Sequence, residues 1–236
     1  MNYNGEDTVR ICAEYARRAR ELPADFYAWS KPANLLFHQH AVRGCIRLLH
    51  RVSLFPLQGL RIADIGCGDG TWLLEFLQWG ADPAALSGID LRPERVESAR
   101  RRIPQADLRA GSASELPWVD GSFDLVSQFT VFTSILDPAL KRAVAAEMVR
   151  VLKPGGAILW FDFRVNNPAN SQVKGIAAAE IRALFAGCKI DIASEVLAPP
   201  IIRRLAGWSR PLAGILKTVP FLRTHYIALI HKRKLT

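Results

Sequence analysis

The sequence predicts an α/β fold: a mostly parallel sheet of seven strands, helices on both faces, and a helical cap at the N-terminus. From Leu60 onward short apolar runs alternate with amphipathic stretches, the order that builds a parallel sheet covered on both sides. The first of these runs ends in glycines and leads straight into a helical pattern. Half of the 236 residues are hydrophobic and 22% are charged, which supplies a sizeable core and excludes global disorder.

Asp7 to Leu22 reads as a polar helix, followed by the aromatic stretch Phe26-Tyr27-Ala28-Trp29. Pro32 opens a second helix, with Leu35, Val42, Ile46 and Leu49 at helical spacing. Pro56 and Gly59 mark a break. Leu60–Gly66 is a short strand, and Thr71–Gly80 a helix with Gly80 as its stop. Ala85–Leu91 is the second strand, and Pro93–Ile103 a helix with proline in its first turn. Ala106–Ala113 is a third strand, and Ser122–Phe129 a fourth after an Asp120-Gly121 turn. Pro138–Leu152 is a helix that Lys153-Pro154-Gly155-Gly156 closes, the glycines serving as C-cap and turn. Ala157–Val165 is the fifth strand. A short helix after Ala179, the strand Lys189–Leu197, a basic helical stretch and the strand His225–Lys232 complete the sheet. Residues 1–57 are expected to form the cap. Residues 58–236 would form the ligand-binding domain, with a basic helical insertion at about 199–222.

The formal charge is +9, and its location matters more than its size. Ile201 to Thr236 carries eight basic residues and no acidic one, while the rest of the chain holds 23 basic against 22 acidic. A neutral body with a basic tail argues against a uniformly cationic nucleic-acid binder. Cys12, Cys45, Cys67 and Cys188 form no CxxC pair and suit free thiols of a reducing compartment. No signal-type apolar stretch and no run of 18 apolar residues occurs, so a cytoplasmic location is expected.

The most informative segment is Ala63-Asp64-Ile65-Gly66-Cys67-Gly68-Asp69-Gly70. Gly66 and Gly68 allow a ligand to approach the backbone and permit dihedrals closed to other residues. The helix that follows offers free amides and a positive dipole end. The pattern is GxGxG; a dinucleotide fingerprint would have glycine where Thr71 stands. About twenty residues on, Asp90 ends the second strand, where a carboxylate can accept both hydroxyls of a ribose. With Asp64 as a second acid beside the loop, a cationic ligand is favoured over a pyrophosphate.

This segment resembles the first motif of class I S-adenosylmethionine-dependent methyltransferases. The resemblance continues through Asp90, Gly111–Pro117, Gly121–Val126 and Arg150–Gly156, from about Leu60 to Phe163. It is nearest to the small-molecule and lipid branch that includes ubiquinone and menaquinone enzymes. It implies a Rossmann-like fold and S-adenosyl-L-methionine as cofactor. By position, Gly66, Cys67 and Gly68 would face the methionine half, and Asp64 would sit near its ammonium. Asp90 would hold the ribose, and Leu91 would pack against the adenine. The family commonly carries Asp-Ala in its third motif, whereas here Ser112-Ala113 stands, leaving the Ala113 amide to donate to the ring. Gln128 begins the turn where a backbone carbonyl meets the ammonium.

Methyl transfer from a sulfonium is an in-line displacement, aided by a base when the acceptor is a hydroxyl. Phe129–Ser134 after strand four contains neither His nor Glu, and no Asn-Pro-Pro-Tyr. The catalytic candidates are therefore His38, with neighbouring His40, in the cap, His225 before the last strand, and Asp162 with Arg164 at the end of strand five. Tyr15, Tyr27 and Trp29 are candidates to line the cap. No carboxylate–histidine cluster points to a metal. Asn166, Asn167 and Asn170 could bond a polyhydroxylated acceptor. Asp162-Phe163-Arg164, Asn167-Pro168, Leu197–Pro200 and Thr224–Tyr226 resemble methyltransferases encoded with bacterial surface-polysaccharide genes. A small-molecule, lipid-linked or glycan acceptor is thus expected, with O-methylation. The tail at 201–236, with Trp208 among its arginines, suits contact with the inner face of an anionic membrane. The alternatives are an RNA methyltransferase gripping phosphates with that tail, and a non-catalytic S-adenosylmethionine-binding protein.

Overall fold

The computed structural model describes residues 5–23, 25–167, 170–205, 216 and 219–233. Helices α1 (Glu6–Glu21) and α2 (Pro32–Arg51) come first. The alternating part follows as β1 (Ile62–Ile65), α3 (Thr71–Gln78), β2 (Leu86–Asp90), α4 (Pro93–Arg102), β3 (Asp107–Ala110) and β4 (Phe123–Phe129). It continues as α5 (Pro138–Val151), β5 (Leu152–Phe163), α6 (Ala178–Leu184), β6 (Lys189–Leu197), α7 (Pro199–Leu205) and β7 (Arg223–His231). The seven strands form one sheet in the order β3-β2-β1-β4-β5-β7-β6. β7 runs antiparallel between β5 and β6, and all the other pairs from β3 to β5 are parallel.

The period-2 alternation of strand side chains divides the core into two layers. Ile62, Leu86, Leu159, Phe161, Ile227 and Leu229 pack with α2, α3 and α4 on one face. Ile65, Ile89, Val126, Ile158, Trp160 and Ile230 pack with α5 and α6 on the other. Phe123 and Leu125, two residues apart, fall on opposite faces because the β4–β5 register shifts between them.

The expected closing of α5 by Lys153–Gly156 is corrected. The helix ends at Val151, and Leu152 already pairs with Phe123. The Lys153 ammonium is held 2.8 Å from both Asp124 carboxylate oxygens, which draws this segment alongside β4. Gly155 takes a positive φ of 80° within the strand, and a Cβ at Gly156 would meet the Asp124 carbonyl at 2.9 Å. The glycines therefore admit a close strand pairing. The last helical carbonyls are met from another segment, Gly121 N donating to Arg150 O (3.1 Å). The fifth strand accordingly begins five residues before the expected Ala157 and ends at Phe163.

α2 is an integral core helix, burying Ala41, Cys45, Leu48 and Leu49 against β6, β7 and α7. Gly44 makes the contact close, since a Cβ there would lie 2.2 Å from the Ile227 Cδ1. Of the expected basic insertion, Pro199–Leu205 forms α7; Trp208, Arg210, Lys217 and Lys234 lie outside the described residues. Pro168, within the asparagine loop, lies outside them too. Among the described residues no helix is long and apolar enough to cross a membrane.

Candidate functional site

The carboxyl end of β1 turns sharply through three left-handed glycines: Gly66 (φ 74°), Gly68 (φ 54°) and Gly70 (φ 80°). Each lies in a region that an L side chain would strain, which explains the alternation of the motif. Gly66 N and Cys67 N both donate to Ile89 O (2.8 and 3.0 Å), locking the loop onto β2. The absent Cβ of Gly66 lets Val131, from the segment after β4, lie against the loop; a Cβ would come within 2.4 Å of its Cγ2. The absent Cβ of Gly68 likewise admits the Arg95 guanidinium, at 2.9 Å.

Asp90 stands opposite this loop. Its Oδ2 accepts from Gly68 N (3.0 Å) and its Oδ1 from Arg92 N (3.0 Å). Both oxygens are thereby oriented, and each keeps a lone pair for a ligand hydroxyl. Asp64 is buried at the end of β1, where Ser127 Oγ donates to its Oδ1 (2.7 Å). Burial, opposed by that bond and reinforced by the charge of Asp90, pushes the Asp64 carboxyl up to about 7. A cation nearby would relieve both costs.

The other expected cofactor residues have distinct positions. Cys67 turns its thiol into the core over Gly88, where burial raises its pKa. Gln128 lies within β4, its Nε2 donating to Phe161 O (3.3 Å) and its Oε1 accepting from Val131 N (3.0 Å). It holds the segment after β4 in place, next to Thr130 at φ 61°. Ser112 and Ser114 share a hydroxyl hydrogen bond (2.8 Å). They line a cleft of about 740 Å³ with Asp7, Arg10, Leu136 and Asp137. Leu91 and Ala113 are partly buried and pack against the core layer on the α5 side of the sheet.

Helix α1 lies over this end. The Asp7 Oδ2 accepts from Leu136 N (2.8 Å) and Asp137 N (3.1 Å), and Arg10 bridges the Ser134 and Gln172 carbonyls. Tyr15 lies 3.3 Å from Ser134 Oγ, with the Arg92 guanidinium 4.5 Å over its ring. None of Asp7, Arg10 or Arg92 is signalled by the sequence, because their partners are backbone groups 124 to 162 residues away or the ring of Tyr15 on α1.

The three catalytic candidates are dispersed. His38 Nε2 lies 2.8 Å from Glu75 Oε1 and its ring sits between Trp29 (4.5 Å) and Trp72 (5.3 Å), bridging α2 to α3. His40 is buried on α2. His225 stacks on Phe161 (5.1 Å) beside Phe37, with Thr224 Oγ1 3.0 Å from Nδ1. Burial lowers its pKa to about 3, so the ring is neutral. Asp162 faces the other side of the sheet, where Thr133 Oγ1, Thr133 N (3.3 Å) and Phe163 N (3.2 Å) donate to it. Arg164 lies over the Tyr226 ring at 5.5 Å. The aromatic cluster formed by Trp72, Phe129 and Phe161 was not apparent in the sequence. Trp72 stacks on Phe129 at 3.7 Å, a contact between residues 57 positions apart.

Asp162 makes a pH-dependent prediction. Burial pushes it up to about 7 against the lowering bonds from Thr133 and Phe163, whereas an unfolded Asp titrates near 3.9. The folded state holds this proton more tightly. The resulting stability is complete below about pH 4 and is lost as pH rises through about 7. Asp162→Asn should therefore become more stable relative to wild type between pH 5 and pH 8, measured by urea unfolding. A difference independent of pH would remove the buried acid from the account.

A glycine loop at the carboxyl end of β1, an oriented acid at the end of β2 and this strand order define the class I methyltransferase fold. Residues 62–156 match the model of a family described as a methyltransferase domain. The phthiotriol/phenolphthiotriol dimycocerosates methyltransferase of Mycobacterium tuberculosis is 34% identical over 145 residues, covering 60% of this chain and 52% of that protein. The chain thus spans about half the length of the curated relatives it matches. Among solved structures, the 1,6-didemethyltoxoflavin-N1-methyltransferase of Burkholderia thailandensis, with its substrate and S-adenosylhomocysteine bound, has a TM-score of 0.63 at 17% identity. That match covers 97% of this chain and 90% of the other. The [4+2]-cyclase SpnF has a TM-score of 0.61 at 20% identity, over 84% and 82% of the chains.

Proposed function

We propose that this protein is an S-adenosylmethionine-dependent methyltransferase acting on a hydroxyl of a small apolar or lipid-linked acceptor. The carrying observation is Asp90, whose two oxygens are fixed by the Gly68 and Arg92 amides beside a left-handed glycine loop. That loop admits close approach, and the carboxylate suits a vicinal diol. The buried Asp64, with Ser127, supplies the negative potential that suits a cationic amino-acid end. The cofactor would supply an electrophilic methyl group.

Trp72, Phe129 and Phe161 exclude water at the carboxyl ends of β4 and β5, which favours an apolar or lipid-linked acceptor over a free glycan. The lipid-methylating relative supports the same choice. Displacement there depends on alignment and exclusion of water. His225, neutral to about pH 3, is too weak a base to take a proton efficiently at neutral pH. His38 and Asp162 hold neighbouring segments. In this reading all three are positioning residues.

Calorimetry should detect S-adenosylmethionine binding, and labelled methyl should transfer to apolar hydroxylated acceptors. His38→Gln and His225→Asn should keep turnover within about threefold. A tenfold loss with cofactor binding intact would restore a histidine base. Binding without transfer to any acceptor would favour the second reading, a cofactor-binding protein with another activity. SpnF is a cyclase on this fold, which gives that reading weight.

A further inference from the structure

We propose that the carboxyl edge of the sheet docks on an anionic phospholipid bilayer, so that the acceptor enters from the membrane; this rests on the reading of a lipid-linked acceptor. Among the described residues, six large hydrophobic side chains are exposed, and four of them lie at this edge: Tyr27 (65% exposed), Trp29 (51%), Val165 and Phe221 (77%). Their shared location follows from contacts. Val165 lies two residues beyond β5 and Phe221 two residues before β7, and Arg164 N donates to Thr224 O (2.9 Å) between them. The Trp29 ring lies 4.5 Å from His38, whose neighbour Phe37 lies 5.0 Å from His225 at the start of β7.

The β6–β7 side of the same edge carries outward cations. The excursion between β6 and β7 begins with α7, whose Ile201, Ile202 and Leu205 pack on the core while Arg203 and Arg204 face outward. From Ile201 to Arg223, where β7 begins, the chain has no acidic residue, whereas Lys232 and Arg233 follow β7 at the opposite edge. Lys31 stands beside the exposed aromatics, paired to Asp25 (3.0 Å), an exposed acid of the same loop. Exposed aromatic rings beside outward arginines suit a headgroup layer, which takes rings at its apolar boundary and cations at its anionic surface. An acidic protein would meet the arginines but leave the projecting rings in water.

The test is co-sedimentation of the full chain with vesicles of phosphatidylglycerol and phosphatidylcholine, against phosphatidylcholine alone, at low and high salt. Wild type should partition at least tenfold more strongly into the anionic vesicles, and salt should weaken this. Arg203→Glu with Arg204→Glu should reduce partition tenfold or more. Arg51→Glu with Arg101→Glu, an equal charge change at the opposite edge, should reduce it less than threefold. Val165→Ser with Phe221→Ser, both exposed, should reduce partition while leaving the unfolding midpoint and S-adenosylmethionine affinity unchanged. Failure of wild type to partition into anionic vesicles, or equal losses from both charge pairs, would overturn the docking. Partition without cofactor binding would uphold the docking and overturn the reading of the site.

Discussion

Asp90→Ala is expected to weaken S-adenosylmethionine and S-adenosylhomocysteine binding at least a hundredfold. The carboxylate is positioned by two backbone amides, Gly68 N and Arg92 N, each at 3.0 Å. In the proposed complex it accepts two ribose hydroxyls. A hydrogen bond to a charged group contributes about 1.5–3 kcal/mol, and about 1.4 kcal/mol is tenfold in affinity. Loss of two such bonds therefore exceeds a hundredfold. The substitution also strands the two amides, which loosens the loop that must meet the methionine half. Asp90→Asn should recover only part of the affinity, because its amide oxygen can accept from one of the two N–H groups while its nitrogen can accept from neither. Titration calorimetry measures the effect, and a loss under tenfold for alanine would place the ribose elsewhere.

Trp160→Ala is expected to produce the largest loss of stability, about 3–5 kcal/mol. Trp160 is fully buried in the middle of β5, against Phe132 (ring centroids 4.4 Å apart) and Phe185 (5.6 Å). Alanine would leave a large cavity in the layer that joins the sheet to α5 and α6. Trp160→Phe should behave very differently. Among the described residues the buried indole Nε1 has no hydrogen-bond partner, and such a donor costs about 1–3 kcal/mol of desolvation. Phenylalanine removes that cost while keeping most of the ring contacts, so its net change should be under about 2 kcal/mol. Urea unfolding of the pair decides it. Equal losses from both substitutions would show that the indole nitrogen is satisfied in solution.

The parallel half of the fold was legible because each of its signals is local. The glycine alternation at 66, 68 and 70 demands left-handed backbone, and all three glycines adopt it. Gly80, expected to stop α3, takes φ 94° just past its end. Proline opens α2, α4 and α5 as its fixed φ requires. The Lys153–Gly156 segment departs from its local signal, lying in β5. Glycine after a helix is a good local stop signal, yet here the pull of Asp124 on Lys153 turns the segment into strand.

By itself the sequence determined the alternation of strands and helices, the glycine loop and the acid at the end of the second strand. These follow from dihedral preference, periodicity and chemistry within about thirty residues. Only the tertiary structure decided that β7 inserts antiparallel between β5 and β6, that Cys67 turns inward over Gly88, and that α1 closes over the site through Asp7 and Arg10. It also separated the three catalytic candidates, placing Asp162 on the opposite face from His38 and His225. Such features depend on contacts between residues far apart in the chain, whose strength is set by burial and geometry. Neither quantity exists until the sheet has formed.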